Sequence, residues 1–228
     1  MLISSCAKPQ EAKTLVQKVN EFEQILTEST LNEWNGDDEH WRFEDGILIG
    51  ETTPEKILIE NSFFIWEKEL VRDFELQLEY RISARGNSGI NYRSQKVDGK
   101  NYVLRGYQAD IDGENEYSGQ LYEERGRSFL AKRGQVTHIG EENHVKEIGN
   151  VGGDNELLSA IENKEGWNKY HLIIKGNTFI HMINGRVMSI TFDEGKSSKQ
   201  EGLLGFQIHL GPPMRVEFRN VLFKRLTP

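Results

Sequence analysis

From about residue 34 to its end the chain alternates apolar and polar residues in short runs, and a run of period two can bury one side only by becoming a β-strand. In 74–80, Phe74, Leu76, Leu78 and Tyr80 take one side and Glu75, Gln77 and Glu79 the other. Comparable runs stand at 41–43, 47–49, 56–60, 63–66, 89–93, 107–112, 120–124, 170–175, 178–183, 187–192, 203–209 and 216–224. Asp45-Gly46 and Asn184-Gly185 separate paired runs, where their tolerance of positive φ suits a two-residue hairpin turn. Many short antiparallel strands joined by Gly-rich turns predict an all-β sandwich or barrel, here one domain over 31–228, long enough to bury a sizeable core. The polar stretch 140–164, with Gly152-Gly153 and an apolar cluster at 157–161, predicts a long surface loop with one helical turn beside a binding face.

Ahead of the alternation the period changes. Leu15, Val19, Phe22 and Leu26 recur at spacings of four, three and four, which predicts a helix over 11–27 in an N-terminal unit of residues 11–30 docked outside the sandwich. Ile3-Ser4-Ser5-Cys6 is similar to the end of a bacterial lipoprotein signal, whose cysteine is lipidated, although only Met1 and Leu2 stand before it; the alternative is an ordinary thiol. Residues 7–10, small and polar with Pro9, suit a tether. The location expected from this is the periplasm or cell surface of a bacterium, with membrane contact only through a lipid on Cys6.

Several function classes are disfavoured. The net charge of -8 repels a phosphate backbone, so nucleic acid is not an expected partner. One cysteine excludes an internal disulfide. His138, His144 and His181 match no metal-ligand spacing, and Asp110-Ile111-Asp112 resembles only the opening of a calcium loop, so no metal or other cofactor is expected. The chain has no Gly-x-Ser-x-Gly elbow, and its Gly-rich segments do not lead a strand into a helix with a lysine. Arg125, Arg127, Lys132 and Arg133 form a basic cluster that reads as a solvated loop rather than an anion grip.

Four runs carry a distinctive outward face. With Ile90 turned inward, Asn91 and Arg93 point out; with Tyr107, Ala109 and Ile111 inward, Gln108, Asp110 and Asp112 point out. With Leu121 inward, Gln120, Tyr122 and Glu124 point out, and the run at 206–210 sends Gln207 and His209 out. A register error of one residue would flip each set. Amides and carboxylates pair with vicinal hydroxyls, a guanidinium holds planar oxygens, and a ring packs on a sugar face, so this set points to a sugar-like ligand. The bland alternative is an ordinary solvated sheet face.

The chain resembles the 3-keto-disaccharide hydrolase family, a concanavalin-like domain formerly of unknown function, over about residues 31–226. The resemblance is carried by Leu31-Asn32-Glu33-Trp34, Glu44-Asp45-Gly46-Ile47-Leu48, Asp73-Phe74-Glu75-Leu76, Asn87-Ser88-Gly89-Ile90-Asn91-Tyr92-Arg93 and Gly106-Tyr107-Gln108. Ser118-Gly119-Gln120-Leu121-Tyr122-Glu123-Glu124, Gly166-Trp167-Asn168, Asn184-Gly185, Gln207-Ile208-His209 and Phe218-Arg219-Asn220 follow in order. The resemblance implies a concanavalin-like jelly-roll sandwich and a hydrolase that cleaves glycosidic bonds of 3-keto sugars by C2 proton abstraction, elimination and hydration. The alternative is a non-catalytic carbohydrate-binding or surface protein. Site roles rest on chemistry alone: Arg93 to hold the enolate oxygen, Glu124 or Asp110 as base, His209 as proton donor, and Asn91, Gln108, Asp112, Gln120, Tyr122 and Gln207 to bind substrate.

Overall fold

The computed structural model describes residues 21–162 and 166–227. The strands are β1 (Glu23–Gln24), β2 (Trp34–Asn35), β3 (Trp41–Glu44), β4 (Ile47–Glu51), β5 (Ser62–Val71), β6 (Phe74–Ile82), β7 (Asn87–Lys96), β8 (Leu104–Asp112) and β9 (Leu121–Glu124). They continue as β10 (Ser128–Ala131), β11 (Gln135–Ile139), β12 (Val145–Asn150), β13 (Asn168–Lys175), β14 (Thr178–Ile183), β15 (Arg186–Asp193), β16 (Gly202–Ile208) and β17 (Arg215–Arg225). A 3-10 helix spans Glu28–Glu33, and a one-turn helix, α1 (Asp154–Leu158), precedes β13. One ten-stranded sheet runs β12-β11-β15-β14-β13-β6-β17-β4-β3 with β1 beside β17, and a seven-stranded sheet runs β10-β9-β8-β7-β16-β5-β2. This is the sandwich that the alternation predicts.

β6 shows why. Phe74, Leu76, Leu78 and Tyr80 are buried, and their partners turn to the outer face of the larger sheet. There Glu75 pairs with Lys224 at 3.0 Å and Glu79 with Arg219 at 2.6 Å. Exposed pairs of this kind contribute about 1 kcal/mol or less each, so apolar burial between the sheets dominates. Aromatic rings join the two layers: Phe206 of the smaller sheet stacks on Phe218 of the larger at 4.4 Å, and Tyr107 meets Phe179 at 4.7 Å. His181 lies in this core, its Nε2 3.0 Å from the Tyr92 hydroxyl, and burial lowers its pKa to about 3.

Three local expectations are corrected. Cys6, the tether at 7–10 and the helix expected over 11–20 lie outside the described residues, but 21–27 are not helical. β1 pairs with β17, Ile25 N donates to Val221 O at 3.0 Å, and Ile25 and Leu26 are both buried while Phe22 is 37% exposed. A free edge of β17 pairs the backbone here, and tertiary pairing overrides the 3.6-residue period. Residues 56–60 form no strand beyond a bridge of Thr53 with Lys56, and Ile57 and Ile59 are exposed. The stretch expected as a loop at 140–164 includes the edge strand β12 as well as the expected helical turn.

Candidate functional site

The outer face of the smaller sheet is where the four polar runs meet. Register puts Gln108 opposite Tyr122 on one side and Asn91 on the other, with Gly205 beyond Asn91; Asp110 lies opposite Gly89. Gly89 and Gly205 leave gaps in this face. A Cβ on Gly89 would stand 2.5 Å from Gln108 Cγ, so only glycine lets the Gln108 side chain lie across β7. The tip of the β7–β8 hairpin folds over the neighbouring strands, where Val103 and Leu104 pack on Phe63 and Ile65 and Phe63 N donates to Tyr102 O at 2.9 Å.

Beside that cover the side chains form one continuous hydrogen-bonded chain. Asn61 Nδ2 donates to Glu124 Oε1 at 3.3 Å, and Gln207 Nε2 donates to Glu124 Oε2 at 3.4 Å. Gln207 Nε2 also donates to Gln108 Oε1 at 2.9 Å, and Gln108 Nε2 donates to Asp110 Oδ1 at 2.8 Å. A carboxylate thus stands at each end of an amide pair, one from β9 and one from β8. Burial raises the Asp110 pKa well above the usual carboxylate range; the Gln108 hydrogen bond opposes the rise, and the charges of Asp112 and Glu124 add to it. Tyr122, half-buried at the edge of the chain, also has a raised pKa, first through desolvation and then through Glu124 and Asp110. Its hydroxyl therefore remains a donor across the neutral range.

The Asp110 environment has a consequence for stability. A carboxyl whose folded pKa is raised keeps its proton in the folded state when the unfolded chain has lost it, so folding weakens as pH rises from the unfolded value, about 4, through the folded one. Asp110→Asn is expected to raise Tm at pH 7, with the gain shrinking as pH falls towards about 4 and vanishing below it. Thermal melts across that range check this; a Tm gain independent of pH points to packing instead.

Of the expected site residues, Gln108, Asp110, Glu124 and Gln207 come together, with Tyr122 beside them. His209 stands just past β16 at the rim, half-exposed, its backbone N bonded to Asn87 O at 3.2 Å and its Nδ1 2.5 Å from Leu210 O. Among the described residues it makes no hydrogen bond to the amide–carboxylate chain. Asn91 is on the right face but fully buried, beside the Leu104 side chain that closes over Gly205. Asp112 is turned into the β8–β9 loop, where it accepts from the backbone N of Glu116, Tyr117 and Ser118 at 2.9–3.0 Å. Gln120 lies outside the chain and donates to Glu116 O at 2.7 Å.

Arg93 is the main correction. It has φ 46, and the β7–β8 register slips between Tyr92 and Gln95. A bulge inserts a residue and breaks the alternation, so Arg93 no longer shares the face of Asn91. Its guanidinium donates to Arg72 O at 2.8 Å, Gly176 O at 2.8 Å, Lys199 O at 3.1 Å and Asp73 Oδ1 at 3.0 Å, and its side chain is 0% exposed. These partners tie the β5–β6 turn, the β13–β14 turn and the segment before β16 together at one end of the sandwich. Half of the basic cluster likewise departs from a solvated loop, while Arg125 and Lys132 stay exposed. Arg127 pairs with the buried Asp193 at 2.7 Å and with Glu123, and Arg133 pairs with Asp154 at 2.8 Å.

Sequence reasoning missed Asn61. It precedes β5 in an irregular segment with no periodic signal, yet its side chain both donates to Glu124 and accepts from Leu210 N at 3.0 Å.

A family model described as a 3-keto-alpha-glucoside-1,2-lyase-like domain matches residues 21–224. No curated protein matches the sequence. Among solved structures, a candidate glycosyl hydrolase from Parabacteroides distasonis is similar at TM-score 0.62 and 14% identity, covering 91% of this chain and 100% of its own. A protein of unknown function with a galectin-like fold from Bacillus subtilis is similar at TM-score 0.59 and 13% identity, covering 91% and 97%. The carbohydrate-binding module CBM66 from Bacillus subtilis follows at TM-score 0.54 and 17% identity, covering 84% and 95%. At these identities the likeness establishes the jelly-roll fold.

Proposed function

The chain belongs to the 3-keto-alpha-glucoside-1,2-lyase-like domain family, and from that membership we propose that it binds a sugar oxidised at C3 and cleaves the bond from C1 to the glycosidic oxygen. The observation that carries the reading is the pair of carboxylates at the two ends of the Gln108–Gln207 amide pair, held in unlike surroundings. A carboxyl kept protonated by burial can donate a hydrogen bond, and the second carboxylate of the chain is then left for the work of a base.

A C3 ketone acidifies the proton on C2. Glu124, which receives N–H donors from Asn61 and Gln207, is the base that takes this proton. The electron pair left on C2 moves into the ketone, and the C3 oxygen becomes an enolate. Asp110, protonated by its burial, donates a hydrogen bond to that oxygen, the part sequence chemistry gave to Arg93. The enolate electrons then form the C1–C2 double bond and expel the C1 oxygen substituent, which takes a proton from Tyr122 or, at the rim, from His209. Water adds across the double bond, with hydroxyl to C1 and a proton to C2, and the net result is hydrolysis.

Incubation with a 3-keto-α-glucoside in deuterium oxide tests the reading. The expected product is a 3-keto sugar with deuterium at C2 from its first appearance. Cleavage that retains protium there means a direct two-carboxylate hydrolysis. Binding without cleavage across a panel of 3-keto glucosides means a carbohydrate-binding protein, to which the same amide-rich face is suited.

A further inference from the structure

Beyond Glu124, where β8 meets β9, a cleft holds cations that take no part in the chemistry above. Its volume is about 190 Å³, and Gln95, Arg105, Gly106, Glu124, Arg125 and Lys199 are among the residues that line it. A site for a whole small molecule has about 300–1,000 Å³, so this cleft suits one substituent of a ligand rather than all of it.

Several charges around the cleft are already matched. Glu123 accepts from Arg127, Glu60 meets Lys100 at 2.7 Å, and the Arg93 guanidinium is taken up by three carbonyls and Asp73. Three cations are not matched in this way. Arg105 meets no carboxylate among the described residues, and its side chain donates only to Gln95 Oε1, at 3.4 Å. Lys199 is exposed and makes no ion pair among the described residues. Arg125 stands 3.6 Å from Glu60 and 3.8 Å from Glu124, both beyond hydrogen-bond length, so its donors remain open to a ligand. Three cations thus face the single carboxylate of Glu124, on a chain whose net charge of -8 otherwise repels an anion.

The backbone that carries these cations is held in place. Lys199 N donates to the Tyr107 hydroxyl at 3.1 Å, and Lys199 O accepts from Arg93 at 3.1 Å. Gly106 has φ 147, and a Cβ there would stand 2.5 Å from Ser94 Oγ, so only glycine lets β8 pass this close to the β7 bulge. Register fixes the order along β8: Asp110, then Gln108 opposite Tyr122, then Gly106 opposite Glu124, then Arg105. The ring of a 3-keto sugar has the matching order. With its C3 oxygen at Asp110 and its C2 proton at Glu124, C1 lies on the far side of Glu124 from Asp110, and the C1 substituent runs toward the cleft. Guanidinium and ammonium donors there suit an oxygen anion.

We propose that this cleft is an anion site, which takes a carboxylate carried by the C1 substituent of the 3-keto sugar held at Glu124 and Asp110. It rests on the reading of those residues as the reaction site. The consequence is a preference for glycosides whose leaving group is negatively charged.

Steady-state cleavage of the 3-keto-α-glucosides of glycerol and of glycerate by the intact chain tests it, because the two substrates differ only in that a carboxylate replaces a hydroxymethyl group. At low salt kcat/KM is expected to be about tenfold higher for the glycerate substrate, and the gap is expected to close as salt is raised. The double variant Arg105→Gln with Lys199→Gln is expected to remove the gap and leave the glycerol substrate unchanged. Both side chains are exposed and neither meets a carboxylate among the described residues, so the variant is expected to fold, which its unfolding transition checks. Equal kcat/KM for the two substrates in the parent protein, or a gap that survives in the folded double variant, overturns the anion site alone. Cleavage of neither substrate overturns the reaction site, and the anion site with it.

Discussion

Replacing Glu124 by glutamine is expected to lower turnover of a 3-keto-α-glucoside by about 10²–10⁴-fold while the fold and the substrate affinity are nearly kept. The substitution preserves shape and leaves an acceptor oxygen for Asn61 or Gln207, but an amide cannot take a proton from carbon. Asp110→Asn is expected to cost less, because an amide still donates a hydrogen bond to the enolate oxygen though with a poorer match to its charge. The ordering of the two variants is what separates the roles. A larger loss at Asp110 than at Glu124 reverses the assignment of base and donor, and full turnover in both removes the face from the chemistry. Steady-state kinetics on both variants, with the unfolding transition of each as control, decides it.

Arg93→Met is expected to destabilise the fold by about 3–5 kcal/mol, as removal of one partner of a buried charge pair does. The loss exceeds a single ion pair because three carbonyls and the Asp73 carboxylate lose their donor together. The four partners lie in three segments, the β5–β6 turn, the β13–β14 turn and the stretch before β16, so three connections loosen at once. Arg93→Lys is expected to recover only part of the loss, because one ammonium cannot reproduce a planar fork with donors to four acceptors. Urea denaturation measures both. A loss under about 1 kcal/mol, accompanied by lost turnover, returns Arg93 to the reaction site and overturns the structural role.

How much of this was legible in the chain follows from what kind of signal each part carries. Alternation is local, and it marked central strands of the larger sheet, from Phe74 to Tyr80 and from Thr178 to Ile183, because a strand that buries one face must write that face into every second residue. The same rule placed Gln108, Asp110, Tyr122, Glu124 and Gln207 on the outer face, and the structure brings them together.

What tertiary structure alone decided is where the rule is interrupted and what lies across from what. One residue in a bulge took Arg93 off the face, and nothing in Tyr92-Arg93-Ser94 announces it, since the carbonyls that receive its guanidinium come from Arg72, Gly176 and Lys199, far away in the chain. Asp112 keeps the parity of Asp110 yet turns into its own loop, because the backbone N–H groups of 116–118 need an acceptor there. Phe22 and Leu26 carry a helical spacing, but the segment pairs with the open edge of β17 and buries Ile25 and Leu26 together. Asn61 has no periodic neighbours at all and reaches Glu124 from the segment before β5, although β5 and β9 stand four positions apart in the sheet. Periodicity fixes which side of a strand a residue takes; bulges, edges and long-range partners depend on contacts between segments that no local pattern records.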